Sequence, residues 1–238
     1  MLFASDLDNT LIHSYKTYNT GDVCVELKDG KEMSFMNPKA FSLLKEISEQ
    51  CVFIPVTTRS LEQYLRIDFG LTPKYAVVAH GALLLIDGKI DEQWACETRG
   101  MLNIRLPEVG ECELLYDIRY VENFFIFAKS GKPREAAEYL RSFIDMSRFT
   151  VCAAHNKVYI FPNGLNKGVA VERLKKLLRV ETVICAGDSE LDIPMLKVAD
   201  AAITPGTLEL SGAGVRIVNG DSFAYSALCA VKDFLGGQ

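Results

Sequence analysis

The sequence lacks the features that mark several large classes of protein. It has no excess of positive charge, because 26 Lys and Arg residues stand against 31 Asp and Glu residues, for a formal net charge of −5. No general cationic field attracts nucleic acid or an anionic membrane surface, and we expect neither as a partner. The apolar runs, such as residues 51–56 and 180–186, are far too short to cross a bilayer.

The cysteines also lack a pairing pattern. Their number, seven, is odd, they are widely scattered, and none belongs to a CxxC pair. Several lie in apolar runs, where a free thiol behaves as a small hydrophobic group. No export signal is visible at the start of the chain. We therefore expect reduced thiols and a cytoplasmic protein, in preference to a zinc site or a catalytic cysteine.

What the sequence does contain is an alternation of short apolar runs and helical patterns at both ends of the chain. This alternation predicts an α/β fold, with a Rossmann-like doubly wound parallel sheet covered by helices on both faces. Between residues 82 and 161 the pattern changes to hairpins and an amphipathic helix, which predicts an inserted α+β domain. We therefore predict a core of residues 1–81 and 162–238, carrying a small hairpin at about 13–36.

Polar residues follow several of the predicted strands at the edge where such sheets bind ligands. They are Asp6 and Asp8 after the first strand, Thr57, Thr58 and Arg59 after the second, and Asp188 and Asp192 after a later one. Asp6 and Asp8 are two residues apart, which puts both on the same side of an extended backbone, so their charges repel. A divalent cation removes that repulsion. Oxygen ligands without His or Cys favour magnesium over zinc.

Phosphoryl transfer is the natural chemistry of such an edge. Magnesium held by few carboxylates usually completes its shell with water and a phosphate oxygen. A carboxylate can serve as the nucleophile and form an aspartyl-phosphate, while hydroxyls, amides and a lysine neutralise the phosphoryl oxygens. Lys167, at the start of a predicted helix, is placed to project toward this edge.

Four motifs of the chain together resemble those of the haloacid dehalogenase (HAD) superfamily in order and spacing. They are DxDxT at residues 6–10, Thr57 at the end of the second strand, Asn166-Lys167-Gly168, and GDSxxD at residues 187–192. The insertion between the second and third motifs resembles a type C2 cap, as in Cof-type and sucrose-phosphatase-like phosphatases. The hairpin after the first motif resembles the flap of the family.

The resemblance implies a Mg²⁺-dependent phosphatase that acts on a small phosphorylated metabolite, with a sugar phosphate as the favoured class. Asp6 would be the nucleophile and a metal ligand, and Asp8 the acid/base, whose backbone carbonyl also binds the metal. The phosphoryl oxygens would be held by Thr57, Thr58 and Lys167. Asp188 would complete the metal ligands, supported by Asp192. The acidic residue at position 8 disfavours dehalogenation.

Several assignments stay open at this stage. Arg59 and His80 are candidate substrate contacts, although His80 also suits a turn or hinge. Glu190 either adds negative charge near the metal or faces solvent. Specificity residues are sought on the strands of the cap, where Arg119, Lys129, His155 and Lys157 are candidates. The alternatives to a phosphatase are a sugar-phosphate phosphomutase and a non-catalytic phosphate-sensing protein.

Overall fold

The computed structural model describes residues 1–212 and 214–237, and the chain divides into two compact units. Unit 1 comprises Met1–Asp91 and Asn166–Gln238, and unit 2 comprises Glu92–Leu165. The inserted domain predicted at residues 82–161 shares residues 92–161 with unit 2.

The elements follow one another in three blocks. The first block contains β1 (Leu2–Ser5), β2 (His13–Ser14), β3 (Val23–Lys28), β4 (Lys31–Met36), α1 (Pro38–Ser48), β5 (Val52–Pro55), α2 (Leu61–Tyr64), β6 (Tyr75–Val78), β7 (Leu83–Ile86) and β8 (Lys89–Ile90). Unit 2 contains α3 (Glu92–Leu102), β9 (Tyr116–Val121), β10 (Phe125–Lys129), α4 (Pro133–Arg141), β11 (Phe149–Ala154) and β12 (Lys157–Pro162). The last block contains α5 (Lys167–Leu178), β13 (Val183–Ala186), α6 (Ile193–Lys197), β14 (Ala201–Thr204), β15 (Val215–Ile217) and α7 (Phe223–Gly236).

A five-stranded parallel sheet forms the centre of unit 1, in the order β15-β14-β13-β1-β5. Every residue of β1 and β13 is buried, so both faces of the sheet are covered. Helices α1 and α7 pack against each other, as do α5 and α6. The predicted α/β architecture with a parallel sheet is confirmed.

Local sequence signals explain where the helices of unit 1 begin. The side chain of Asn37 accepts hydrogen bonds from the backbone N–H groups of Lys39 and Ala40, and Pro38 occupies the first turn of α1. Asn166 caps α5 in the same way, since its Oδ1 accepts from the backbone N–H of Val169 at 2.9 Å. This cap places Lys167 in the first turn of α5, directly after the chain re-enters unit 1.

A three-stranded antiparallel sheet, β2-β4-β3, follows the first strand. Its tight turn is Asp29-Gly30, where both residues have positive φ angles of 52° and 74°. Such a turn matches the twist of the two strands that it joins, which explains why the Asp-Gly pair predicts a hairpin here. We call β3, β4 and their turn the flap hairpin.

The hairpin around Asp87-Gly88 lies in unit 1, although the sequence assigned it to the insertion. The reason is that β7 pairs antiparallel with β6, which in turn meets the main sheet through a parallel bridge between Val56 and Val77. Beyond β8 the chain forms the helix α3, in a region where the sequence predicted hairpins. Earlier in the chain, α2 is a single turn that ends at Tyr64.

Unit 2 contains a four-stranded antiparallel sheet in the order β11-β12-β10-β9. Side chains alternate between its two faces. One face packs with α4 in an aliphatic core that includes Ile126, Leu140 and Ile160. The other face carries the alternate residues of β10 and β12, which are aromatic: Phe125, Phe127, Tyr159 and Phe161.

Across the part of the chain that the structure describes, no helix combines the length and apolar character needed to cross a membrane.

Candidate active site

The residues after β1 bring the first two predicted site carboxylates to the carboxyl edge of the parallel sheet. The backbone N–H of Asp6 donates to the carbonyl of Ala186 at 2.9 Å, so Asp6 remains aligned with β13. Asp6 is buried, whereas the side chain of Asp8 is 54% exposed. The two carboxylates therefore have different environments although they are only two residues apart.

Lys167 lies between two buried carboxylates. Its Nζ donates to Oδ1 of Asp6 at 2.5 Å and to Oδ1 of Asp192 at 2.6 Å. Burial by itself lowers the pKa of Lys167, but the charges of Asp192 and Asp6 outweigh it and raise this pKa above its ordinary value. Lys167 is therefore a fixed positive charge inside the site.

Asp192 organises the loop that follows β13. Its Oδ2 accepts from the backbone N–H groups of Ser189 at 3.0 Å and Asp188 at 3.2 Å, and from the Ser189 hydroxyl at 2.8 Å. Its Oδ1 accepts from Lys167. Asp192 thus orients both Lys167 and the backbone that carries Asp188, while its own side chain is fully buried.

Thr10 is a member of this group that sequence reasoning left without a role. Its hydroxyl lies 3.0 Å from Oδ1 of Asp188 and 3.3 Å from Oδ2 of Asp6, so it links the loops after β1 and β13. The only signal for Thr10 in the sequence was its place in the DxDxT motif. A buried hydroxyl between two carboxylates orients them, which explains the threonine at this position.

The oxygen atoms of Asp6, Asp188 and Asp192 form a group that can hold a cation. One carboxylate oxygen from each lies within 4.8 Å of the others. Burial, followed by the charge of Asp192, raises the pKa of Asp6 well above its usual range. Three carboxylates face the single charge of Lys167, so the site has excess negative charge that a cation would offset. An all-oxygen donor set fits Mg²⁺.

Asp8, which the resemblance assigned to the metal through its backbone carbonyl, directs its carboxylate to Arg59. Both of its oxygens accept from Arg59, at 2.9 Å from Nε and 2.8 Å from Nη2. The carboxylate that joins Asp6 and Asp188 is that of Asp192. A metal contact through the backbone carbonyl of Asp8 stays a prediction. Glu190 is exposed, so its side chain faces solvent.

The threonines after β5 are held by the turn that follows β6. Thr57 is buried, its backbone N–H donates to Val77, and its hydroxyl accepts from the backbone N–H of Arg59 at 3.2 Å. The hydroxyl of Thr58 lies 3.2 Å from Nδ1 of His80. The backbone N–H of His80 donates to the carbonyl of Thr57 at 2.9 Å. The two turns are therefore tied together by both backbone and side-chain bonds.

His80 adopts a left-handed backbone conformation with φ of 60° and is buried. Burial, and then the nearby charge of Lys167, hold its pKa well below the ordinary value. The imidazole is therefore neutral at physiological pH. This geometry is that of a turn residue, one of the two roles that the sequence left open.

Three candidate specificity residues of unit 2 lie on one face of its sheet: Arg119, Lys129 and Lys157. Lys129 pairs with Asp117 at 2.6 Å. Arg119 and Lys157 lie over the ring of Phe127, at 5.6 and 5.5 Å from its centroid. His155 occupies the turn between β11 and β12, with φ of 54°. Arg119 and Lys157 thus contact the ring of Phe127, and Lys129 contacts the carboxylate of Asp117.

Comparison with known proteins gives consistent results. Residues 105–206 match the family model described as haloacid dehalogenase-like hydrolase. The chain is 24% identical over 212 residues to phosphoglycolate phosphatase 2 of Saccharolobus solfataricus, covering 85% of this chain and 78% of the relative.

Two solved structures resemble the whole chain. The sucrose-phosphatase of Synechocystis sp., in complex with sucrose and phosphate, has a TM-score of 0.67 at 18% identity, covering 98% of this chain and 97% of its own. A HAD superfamily phosphatase of Bacteroides thetaiotaomicron has a TM-score of 0.63 at 16% identity, covering 97% and 94%. At these identities the likeness is one of fold.

Unit 1 thus has a parallel sheet with buried aspartates around a lysine at its carboxyl edge, and unit 2 is an inserted antiparallel unit. The haloacid dehalogenase-like hydrolase model matches part of this chain, and the whole chain is similar in fold to phosphatases of that superfamily.

Proposed function

We propose that this protein is a Mg²⁺-dependent phosphatase that hydrolyses a small phosphate monoester through an aspartyl-phosphate on Asp6. The observation that carries the proposal is the buried Asp6 carboxylate, 2.5 Å from Lys167 and grouped with Asp188 and Asp192. A carboxylate so placed is a nucleophile whose neighbours are ready to balance the charge of a phosphoryl group.

The side chains of the chain divide the work between two half-reactions. A carboxylate oxygen of Asp6 attacks phosphorus, and the bond from phosphorus to the ester oxygen breaks. Asp8 enters this half-reaction in its protonated form and gives that proton to the departing oxygen. Asp8 then takes a proton from the water that attacks phosphorus, and the acyl-phosphate bond breaks to release phosphate and regenerate Asp6.

Other residues bind the phosphoryl group and hold the site in place. Lys167 and the Thr57 and Thr58 hydroxyls are the proposed ligands of the phosphoryl oxygens. Asp6 and Asp188 would hold Mg²⁺, with Asp192 in support, and the bound ion would supply positive charge that offsets the carboxylates and the phosphoryl oxygens. Since Asp192 fixes Lys167 and the loop of Asp188, it keeps both groups in register with Asp6.

A sugar phosphate is the proposed substrate class, with unit 2 as the cap that selects it. The likeness in fold to a sucrose-phosphatase and the sequence similarity to a phosphoglycolate phosphatase support a small phosphorylated metabolite. The cations around Phe127 suit a polar or anionic part of such a substrate. We also propose a cytoplasmic location, which is supported by seven cysteines that are all free.

The test is a panel of sugar phosphates, nucleotides and phospho-acids, assayed for phosphate release with Mg²⁺ and with EDTA. We expect release from at least one small ester, loss of release in EDTA, and no turnover by an Asp6→Asn variant. Phosphate release from a hexose phosphate separates this proposal from a phosphomutase, which would instead form an isomer. A protein that releases phosphate from no ester in the panel would contradict the proposal.

A further inference from the structure

Arg59 connects the carboxylate of Asp8 to the flap hairpin. On one side its Nε and Nη2 donate to the two oxygens of Asp8. On the other side its Nη1 donates to Oε2 of Glu26, in β3, at 2.8 Å, and its Nη2 lies 3.2 Å from the hydroxyl of Ser34, in β4. One guanidinium thus bridges the loop after β1 and the flap hairpin.

The flap side of this network is buried and fully hydrogen-bonded. Glu26 is only 4% exposed, and its Oε2 also accepts from the Ser34 hydroxyl at 2.5 Å. Its other oxygen accepts from Nε of Arg66 at 3.1 Å. Burial alone raises the pKa of Glu26, but Arg59 and the hydrogen bond from Ser34 outweigh it and lower this pKa overall. Glu26 is therefore a charged anchor held by three donors.

Asp8, by contrast, is the exposed end of the network. Its side chain is 54% exposed, whereas that of Arg59 is 13% exposed. An exposed aspartate free of a fixed partner samples several rotamers, and ordering its side chain carries an entropic cost. A bidentate guanidinium removes that freedom because its planar fork matches the carboxylate in one orientation only. The orientation of Asp8 is thus set by Arg59, and that of Arg59 by Glu26.

We infer that Arg59 is a positioning residue for the acid/base Asp8, held in place from the flap hairpin by Glu26 and Ser34. The inference rests on the proposed phosphatase function. It replaces the substrate contact that the sequence suggested for Arg59, because the donors of the guanidinium are engaged by side chains of the protein. It also gives the flap hairpin a role, because the position of the hairpin sets the orientation of Arg59 and, through Arg59, that of Asp8.

The leaving group of the substrate distinguishes this role from a merely structural one. An alkyl phosphate releases a basic alkoxide that requires a proton from the general acid, whereas p-nitrophenyl phosphate releases a stable phenolate that does not. The ratio kcat/KM reports the steps up to and including attack by Asp6. A misplaced Asp8 therefore lowers kcat/KM for the alkyl ester far more than for the aryl ester.

The experiment compares an alkyl phosphate that the wild type hydrolyses with p-nitrophenyl phosphate in the variants Arg59→Lys, Glu26→Gln and Ser34→Ala. We expect Arg59→Lys and Glu26→Gln to lose about 10- to 100-fold in kcat/KM on the alkyl ester and less than about 3-fold on the aryl ester. Ser34→Ala, which leaves both ion pairs of Arg59 intact, should show the same selectivity with a smaller loss. Asp8→Asn supplies the limiting pattern.

The matched control is Glu62→Gln. Glu62 also pairs with Arg66, at 3.2 Å, but it is 86% exposed and lies outside the contacts of Arg59. We expect this variant to hydrolyse both esters as the wild type does. Urea unfolding of each variant tests whether it is folded at the assay temperature, and Ser34→Ala serves if Glu26→Gln does not fold.

The possible patterns separate the two hypotheses. A selective loss on the alkyl ester supports the positioning role. Equal losses on both esters, or no loss on either, would overturn it while leaving the phosphatase intact. A wild-type protein that hydrolyses neither ester would overturn the proposed function and this inference with it.

Discussion

Replacing Asp6 by asparagine is expected to stabilise the metal-free protein while it abolishes turnover. In the folded protein, burial and the charge of Asp192 raise the pKa of Asp6 well above its ordinary value of 3.8. A group whose pKa is raised by folding contributes stability below its ordinary pKa and loses that contribution as the pH rises through the folded value. Near neutral pH, where Asp6 ionises in the unfolded chain, this shift therefore opposes folding.

The size of the effect follows from the contacts of Asp6. The amide removes the charge that Asp192 opposes, so we expect Asp6→Asn to gain on the order of 1 kcal/mol in the free energy of unfolding, the usual size of a favourable single substitution. The amide suits the site because its oxygen can still accept from Lys167, and its NH₂ group can donate to the hydroxyl of Thr10. Lys167 also keeps Asp192 as a charged partner.

Asp192→Asn is the matched contrast, since it makes the same change of atoms in a different hydrogen-bond environment. Both oxygens of Asp192 face only donors or hydroxyls: Lys167 on Oδ1, and the N–H groups of Asp188 and Ser189 with the Ser189 hydroxyl on Oδ2. An amide NH₂ would face an N–H donor in either orientation. We expect a loss of about 1–3 kcal/mol.

The assay is urea unfolding of the wild type and both variants in EDTA, at pH 7 and again at pH 5. The advantage of Asp6→Asn should shrink at pH 5, because more of the wild-type Asp6 is protonated there. Added Mg²⁺ should stabilise the wild type more than Asp6→Asn, since binding to the folded state raises its stability. If Asp6→Asn lost as much stability as Asp192→Asn, the repulsion argument would be refuted and the Lys167–Asp6 pair would be net stabilising.

Three further predictions concern other parts of unit 1 and the surface of unit 2. Asp8→Asn should lose about 10²- to 10⁴-fold in turnover yet bind inorganic phosphate as tightly as the wild type, by calorimetry. The wild type should lose stability as the pH falls below 6.5, because only its unfolded state protonates His80 there. His80→Asn, which tolerates the positive φ, should reduce this pH dependence in urea unfolding. Gly168→Ala places a Cβ against the backbone of Pro194 and should lower the free energy of unfolding by about 1–3 kcal/mol. Gly100→Ala, which has open space around its Cβ, should raise it by up to about 1 kcal/mol. Thermal unfolding measures both.

Much of the fold could be predicted because its signals are local. The caps at Asn37 and Asn166 and the Asp29-Gly30 turn each depend on residues within a few positions, and the structure contains all three. The helix α3 escaped prediction because its buried residues, Trp94, Ala95 and Thr98, form too short a stripe to separate a helix from a continuing strand.

The sequence by itself determined the α/β class and the edge where the site lies, because hydrophobic periodicity selects the elements and parallel strands bring their carboxyl ends together. On that basis Asp6, Lys167 and Asp188 were expected near one another. Only the tertiary structure decided that Asp192 lies with Asp6 and Asp188 while Asp8 pairs with Arg59. Those choices depend on rotamers selected by distant partners, as Glu26 selects that of Arg59. The extent of unit 2 was decided in the same way, by the pairing of β7 with β6.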